Sequence, residues 1–349
     1  MELGSVVWWV HAAAQQAERT MQTTFCRKVG IALPIVQAPM GGASCPALAA
    51  AVSNVGGLGM LALSWHPQEA LRGQIRETKA LTDKPFGVNL VLEWPQADRL
   101  AACLEEGVRL VSFFWGDPAP YVEQAKAAGA LTISTVASAA DARAAVEAGV
   151  DIVVAQGWEA GGHVRGEVAT MPLVRAVVEA VGDTPVLAAG GIADGHGLAA
   201  ALALGASGAW IGTRFLASEE VAIHPEYQQR LLAADETSTV HTDLFDVGWR
   251  NAPHRVLRNS TIEMWEAAGR PAKDRPGEGE VLARGMFGSM VRYASITPGP
   301  EATGDIEALS LWAGQSVGRV HKVQPAGEIV AEIAQEARDV LRRLADTLA

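Results

Sequence analysis

Eight short apolar, β-prone runs recur along the first two thirds of the chain, at intervals of roughly 20–30 residues. They are Pro34–Ala38, Leu58–Ala62, Phe86–Leu92, Arg109–Phe113, Leu131–Val136, Asp151–Ala155, Pro185–Ala189 and Gly208–Thr213. Between them lie Ala-, Leu- and Glu-rich stretches with helical periodicity, such as Pro67–Leu81. Ser138–Ala148 and Asp194–Leu204 each open on an N-cap residue and close before Gly149 and Gly205. Strands that alternate with helices must pair in parallel through right-handed crossovers. Eight such strands close a (β/α)₈ TIM barrel. An open doubly wound sheet is the competitor. It would place a GxGxxG turn after its first strand, where this chain has Gln37-Ala38-Pro39-Met40-Gly41-Gly42.

The rhythm stops near Glu219. Residues 219–317 are polar and helix-prone, with a Pro-, Gly- and charge-rich loop at Gly269–Gly279. The expected organisation is a barrel built from residues 21–218 and 318–349, with a smaller, mostly helical inserted domain at 219–317. Ile329–Leu348 alternates apolar and charged residues at helical spacing and should pack back on the barrel. Residues 1–20 read as an extension or a mis-assigned start, and no signal peptide is expected there.

Composition narrows the function. Of 349 residues, 39 are acidic and 28 basic, for a net charge of −11. That balance argues against nucleic acid and anionic membrane as partners. No apolar run reaches the length of a membrane-spanning helix. The three cysteines show neither CxxC spacing nor a Cys/His cluster, so no metal site or disulfide framework is expected and a cytoplasmic setting fits. No Walker A, GxSxG or HExxH pattern occurs. Asn259-Ser260-Thr261 matches a glycosylation sequon, which a cytosolic chain would not use.

A barrel carries its chemistry in the loops after its strands. The sixth loop, Gln156 to His163, presents one imidazole behind Gly161 and Gly162, where a missing Cβ lets backbone approach a planar ligand. His163 is the candidate proton carrier. The other seven histidines are read as packing or surface residues. Gly190–Gly191 after the seventh strand and Gly212–Thr213 after the eighth suit a phosphate, held by backbone N–H groups and the Thr213 hydroxyl. Asn89 ends the third strand and could hydrogen-bond a heterocycle. Of the ten tryptophans, Trp158 and Trp312 fall in these site segments, Trp8 and Trp9 in the extension. Trp65, Trp94, Trp115, Trp210, Trp249 and Trp265 read as packing residues.

The segments QAPMGG, FGVNL, AQGWEAGGH, VLAAGGIADGHGLAAALALGASGAWIGTRFLAS and WAGQSVG together resemble the nitronate monooxygenase family of FMN-dependent barrel enzymes, from about Phe25 to the C-terminus. The resemblance implies an FMN phosphate at Gly190, Gly191, Gly212 and Thr213. It implies flavin-ring contacts from Pro39, Met40, Asn89 and Gln156, and His163 as base. Thr135 falls where some relatives carry Lys, and Gln156 favours the monooxygenase branch over reductases that carry Glu. Trp312–Gly318 would close over the flavin, with Gln315 as a ligand. The implied reaction oxidises alkyl nitronates of the propionate 3-nitronate type with O₂ to a carbonyl compound and nitrite. The implied assembly is a monomer or homodimer. The alternative is an NAD(P)H-dependent flavin reductase acting on an enoyl thioester or a quinone, because those relatives share the motifs.

Overall fold

The computed structural model describes residues 21–286 and 288–348. The expected extension at 1–20 lies outside the described residues. Eight parallel strands form one sheet in the order β1–β9–β8–β6–β5–β4–β3–β2. They are β1 (Ile35–Gln37), β2 (Gly59–Ala62), β3 (Phe86–Val91), β4 (Leu110–Phe114), β5 (Leu131–Val136), β6 (Ile152–Gln156), β8 (Val186–Ala189) and β9 (Gly208–Ile211). Val36 bridges Leu58, and Gln37 N–H donates to Leu58 C=O at 2.9 Å, which closes the sheet into a barrel. Each strand lies within one or two residues of its sequence-derived bounds.

The strands read as continuous apolar runs because both faces are buried. One face fills the barrel, where Val36, Met60, Ile133, Val154, Leu187 and Trp210 pack together. Helix α1 (Thr24–Val29) adds Phe25 and Cys26 to this cluster. Gly87 has no side chain for a packing reason, since a Cβ there would stand 2.5 Å from both Leu110 Cδ2 and Met60 Sδ. The other face meets the helical ring: α2 (Pro46–Asn54), α3 (Gln68–Leu81), α4 (Ala97–Glu105), α5 (Ala119–Ala127), α6 (Ala139–Glu147), α7 (Thr170–Val181) and α8 (Gly195–Ala203). The expected caps form. The Ser138 side chain accepts from Asp141 N–H, and the Asp194 side chain accepts from Gly197 N–H. In α11 (Ala326–Leu348), Ile329, Val330, Ile333 and Ala337 share one buried face that packs on α8 and α2.

The region between the barrel's last strand and α11 is less helical than its composition suggested. It holds two eight-residue helices, α9 (Pro225–Leu232) and α10 (Ser260–Ala267). Beside them are β10 (Thr239–Thr242), β11 (His254–Leu257), β12 (Val281–Gly285), β13 (Gly288–Val291) and β14 (Thr303–Gly304). Polar composition misled here because these strands are short and depend on pairing rather than on a strong local pattern. Asn259 caps α10 and is buried, with Nδ2 donating to Glu307 and Leu309 carbonyls, so the sequon serves a structural role.

One strand was not foreseen. Within the β6–α7 loop, Gly162–His163 forms β7, which pairs antiparallel with β11. The insert is thereby joined in a three-stranded sheet to the loop that carries the candidate imidazole.

Candidate active site

The β6 loop is built so that His163 is held from both sides. Gln156 Nε2, at the strand end, donates to the His163 carbonyl at 3.1 Å. The β7–β11 pairing sets His163 opposite His254. A Cβ on Gly161 would stand 2.4 Å from Gly314 N, so this glycine is required by the close pass of the 313–314 backbone. Gly162 adopts φ +68, which explains the second glycine. Gln315 N–H donates to Glu159 C=O at 3.0 Å, and Gly314 N–H to Thr213 Oγ1 at 3.0 Å. The 312–318 segment therefore lies against the sixth and eighth strand-end loops.

The His163 ring stacks on Trp249 at 4.0 Å between centroids and lies 5.2 Å from Trp312. Ser295 Oγ is 3.4 Å from its Nε2. Burial, with a smaller effect from His254, holds the His163 pKa well below the ordinary imidazole value. His254 is itself fixed neutral: Phe245 N–H donates to its Nε2 at 3.2 Å, and its Nδ1 meets Ala252 C=O at 2.8 Å. Burial lowers its pKa to about 4. Two neutral imidazoles thus face each other, and the one on the loop can accept a proton. The thiols do not compete, since burial raises all three and pushes Cys103 to about 12.

The first-strand loop is organised by buried Gln37. Its Oε1 accepts from Met60 N–H at 3.0 Å and its Nε2 donates to Ser44 Oγ at 3.0 Å, while Met40 N–H also donates to Ser44 Oγ. Pro39 and Met40 are left half-buried at the barrel mouth. Asn89 is buried, and its Oδ1 accepts from Ser112 Oγ at 2.7 Å. That bond fixes the amide with Nδ2 uncommitted to any acceptor among the described residues. Thr135, at the end of β5, and Gln156 are half-buried on the same rim.

The four residues expected to hold a phosphate differ in what the protein itself asks of them. Gly190 is required by its neighbours: φ is +102 and a Cβ would press on Thr170 Oγ1 at 2.9 Å. Gly191 at φ +73 is turn-specific, yet a Cβ would meet nothing nearer than 3.9 Å. Gly212 has negative φ, and its Cβ would meet only ordinary contacts at 3.8 and 3.9 Å. Internal packing does not explain that glycine. The N–H groups of Gly191 and Gly212 donate to no acceptor among the described residues. Thr213 Oγ1 accepts from Gly314 N–H, which leaves its proton to donate. Open space beside unused donors is what an anionic group needs.

Sequence reasoning missed the aromatic wall of this site. Trp65, Trp94 and Trp115 follow β2, β3 and β4, and Trp249 comes from the insert. Trp94, Trp115 and Trp249 do pack in one hydrophobic cluster, as the sequence suggests, and that cluster also reaches His163. The positions after strand ends were the available signal. Trp312 joins the wall, whereas Trp158 turns away: its ring lies 4.3 Å under the Arg255 guanidinium, which donates to its carbonyl at 2.9 Å. Asp194, His196 and Glu336 also approach one another. Their atoms are engaged by Gly197 N–H, Arg319, Gly195 N–H and the His196–Glu336 contact, so they brace α8 to α11. Among the described residues no helix is long and apolar enough to cross a membrane.

A family model described as nitronate monooxygenase matches residues 22–102 and 94–336. A nitronate monooxygenase of Pseudomonas aeruginosa is 34% identical, over 91% of this chain and 100% of that one. The (3aS,4S,5R,7aS)-5-hydroxy-7a-methyl-1-oxo-octahydro-1H-indene-4-carboxyl-CoA dehydrogenase of Mycobacterium tuberculosis is also 34% identical, over 91% of this chain and 96% of that one. Among solved structures, FabK from Thermotoga maritima superposes with a TM-score of 0.78 at 36% identity, covering 94% of this chain and 100% of its own.

Proposed function

The chain belongs to the nitronate monooxygenase family, and from that membership we propose that it oxidises alkyl nitronates with O₂ to a carbonyl compound and nitrite, using FMN held at the barrel mouth. The observation that carries this reading is the neutral His163 imidazole on the loop after β6, stacked on Trp249 and in contact with Trp312. FMN, when bound, supplies the electron transfer between the organic substrate and O₂.

The residues fit that cofactor. Gly191, Gly212 and Thr213 offer unused donors and open space for its phosphate, and Gly190 shapes the turn. Pro39, Met40, Asn89, Thr135 and Gln156 rim the place for its ring, and Gln315 lies on the segment that covers it. His163 is deprotonated at neutral pH and takes the α-proton of a nitroalkane, or orients a nitronate already formed. The wall of indoles lowers local polarity, which strengthens the hydrogen bond that Ser295 Oγ can offer His163 Nε2.

The test is oxygen consumption and nitrite release with ethyl nitronate and with neutral nitroethane. His163→Asn is expected to lower kcat/KM for nitroethane by about 10²–10⁴-fold. Its turnover of preformed nitronate should fall much less, and its flavin content should be retained. Equal losses on both substrates would remove the base from the mechanism.

A second reading is a flavin-dependent oxidoreductase of acyl thioesters or quinones. Similarity to the carboxyl-CoA dehydrogenase and to FabK favours it. Anaerobic mixing with NADH or NADPH separates the two. Rapid loss of the flavin colour, without nitronate oxidation, would replace the first reading by the second.

A further inference from the structure

Two loops give up a Cβ to one hydroxyl. Thr170 is the first residue of α7, where the β6 loop ends. A Cβ on Gly157 would stand 2.0 Å from Thr170 Oγ1, and one on Gly190 would stand 2.9 Å from it. Gly157 follows β6 and Gly190 follows β8. The hydroxyl is therefore wedged between the turn that leads to His163 and the turn expected to hold a phosphate. A valine would fill a similar volume; what threonine adds is a proton to donate.

Three acceptors surround that proton. Glu159 Oε2 lies 2.9 Å from Thr170 Oγ1, Gly190 C=O 3.1 Å and Ala189 C=O 3.5 Å. Glu159 Oε2 already accepts from Thr170 N–H at 2.9 Å, and Ala189 C=O from Gly157 N–H at 2.8 Å. The Gly190 carbonyl has no other donor among the described residues. The consequence lies across the peptide bond. In a trans peptide the C=O of one residue and the N–H of the next point in opposite directions. A Gly190 carbonyl tied to Thr170 turns Gly191 N–H away from Thr170, and that N–H has no acceptor among the described residues. Glycines at φ +102 and +73 flank this peptide, so its own side chains do nothing to fix its orientation.

We propose that Thr170 is a positioning residue for the cofactor phosphate. Its hydroxyl donates to the Gly190 carbonyl and thereby aims Gly191 N–H at a phosphate oxygen. Glu159 holds Thr170 in place through its backbone N–H, and the buried Arg255 guanidinium attracts that carboxylate. The role rests on FMN as the cofactor, and not on which substrate the flavin oxidises.

Riboflavin provides the test, because it carries the same ring without the phosphate. In fluorescence titration of the full chain freed of flavin, the wild type should bind FMN at least about tenfold tighter than riboflavin. Thr170→Val keeps the backbone N–H bond to Glu159 and deletes the hydroxyl. Its FMN affinity should fall about three- to tenfold, with riboflavin affinity changed by less than about twofold. Thr170→Ser restores the hydroxyl and should bind FMN within about twofold of wild type. An equal loss for FMN and riboflavin in Thr170→Val, or no loss for either, overturns the role. So does a Thr170→Ser variant as impaired as Thr170→Val. A wild type that binds FMN no tighter than riboflavin overturns the phosphate cradle, and this role with it. A selective loss of FMN affinity in Thr170→Val, in a chain that oxidises no nitronate, leaves the role standing and overturns only the proposed reaction.

Discussion

At the scale of single residues, glycine carries two different messages in this chain. Gly161 and Gly190 are demanded by neighbouring protein atoms, while Gly212 is not. The distinction gives a direct test of the proposed phosphate cradle. Gly212→Ala places a methyl group where the protein has room, so the flavin-free variant should keep the wild-type Tm. If a phosphate occupies that space, FMN affinity should fall about tenfold or more, as read by flavin fluorescence on titration. Unchanged FMN affinity would move the phosphate elsewhere. His163 and the glycine loops were legible in sequence because each follows a strand end. Trp65, Trp94 and Trp115 follow strand ends as well, but nothing local joins them to one another or to Trp249 of the insert, and only the fold brings them together.

At the scale of elements, local signals were most reliable where one face is buried along a regular period. Helix α11 shows this. Its buried residues recur at positions three and four apart, and they dock on α8 and α2. Ile329 is fully buried in that seam. Ile329→Ala should cost about 2–5 kcal/mol of stability, measured as a lower urea midpoint with unchanged slope. A cost below 1 kcal/mol would mean that α11 docks loosely. The insert was the converse case. Its strands are two to five residues long, and β7 spans only Gly162–His163. Such segments have too few residues for periodicity to register, and they exist because a partner strand offers hydrogen bonds.

At the scale of the whole molecule, two buried neutral imidazoles couple stability to pH. In the unfolded chain both titrate near 6.5, whereas in the folded protein His254 is lowered to about 4 and His163 is lowered as well. Below pH 6.5 the unfolded state therefore binds more protons, and stability falls as pH drops. The loss from His254 grows down to about pH 4 and reaches roughly 3 kcal/mol. Tm should decline steadily from pH 7 to 4.5, and His254→Phe should flatten that decline even though it loses two hydrogen bonds at neutral pH. A parallel decline in both proteins would assign acid sensitivity to other groups. Sequence alone determined the barrel, its caps and the loop that carries His163, because each depends on a period or a residue type within one short segment. Tertiary structure decided that β7 joins the insert to that loop and that His163 packs against both Trp249 and Trp312. It also decided that three loops and the insert share one aromatic wall. Those features are distances between residues far apart in the chain, and no local pattern encodes them.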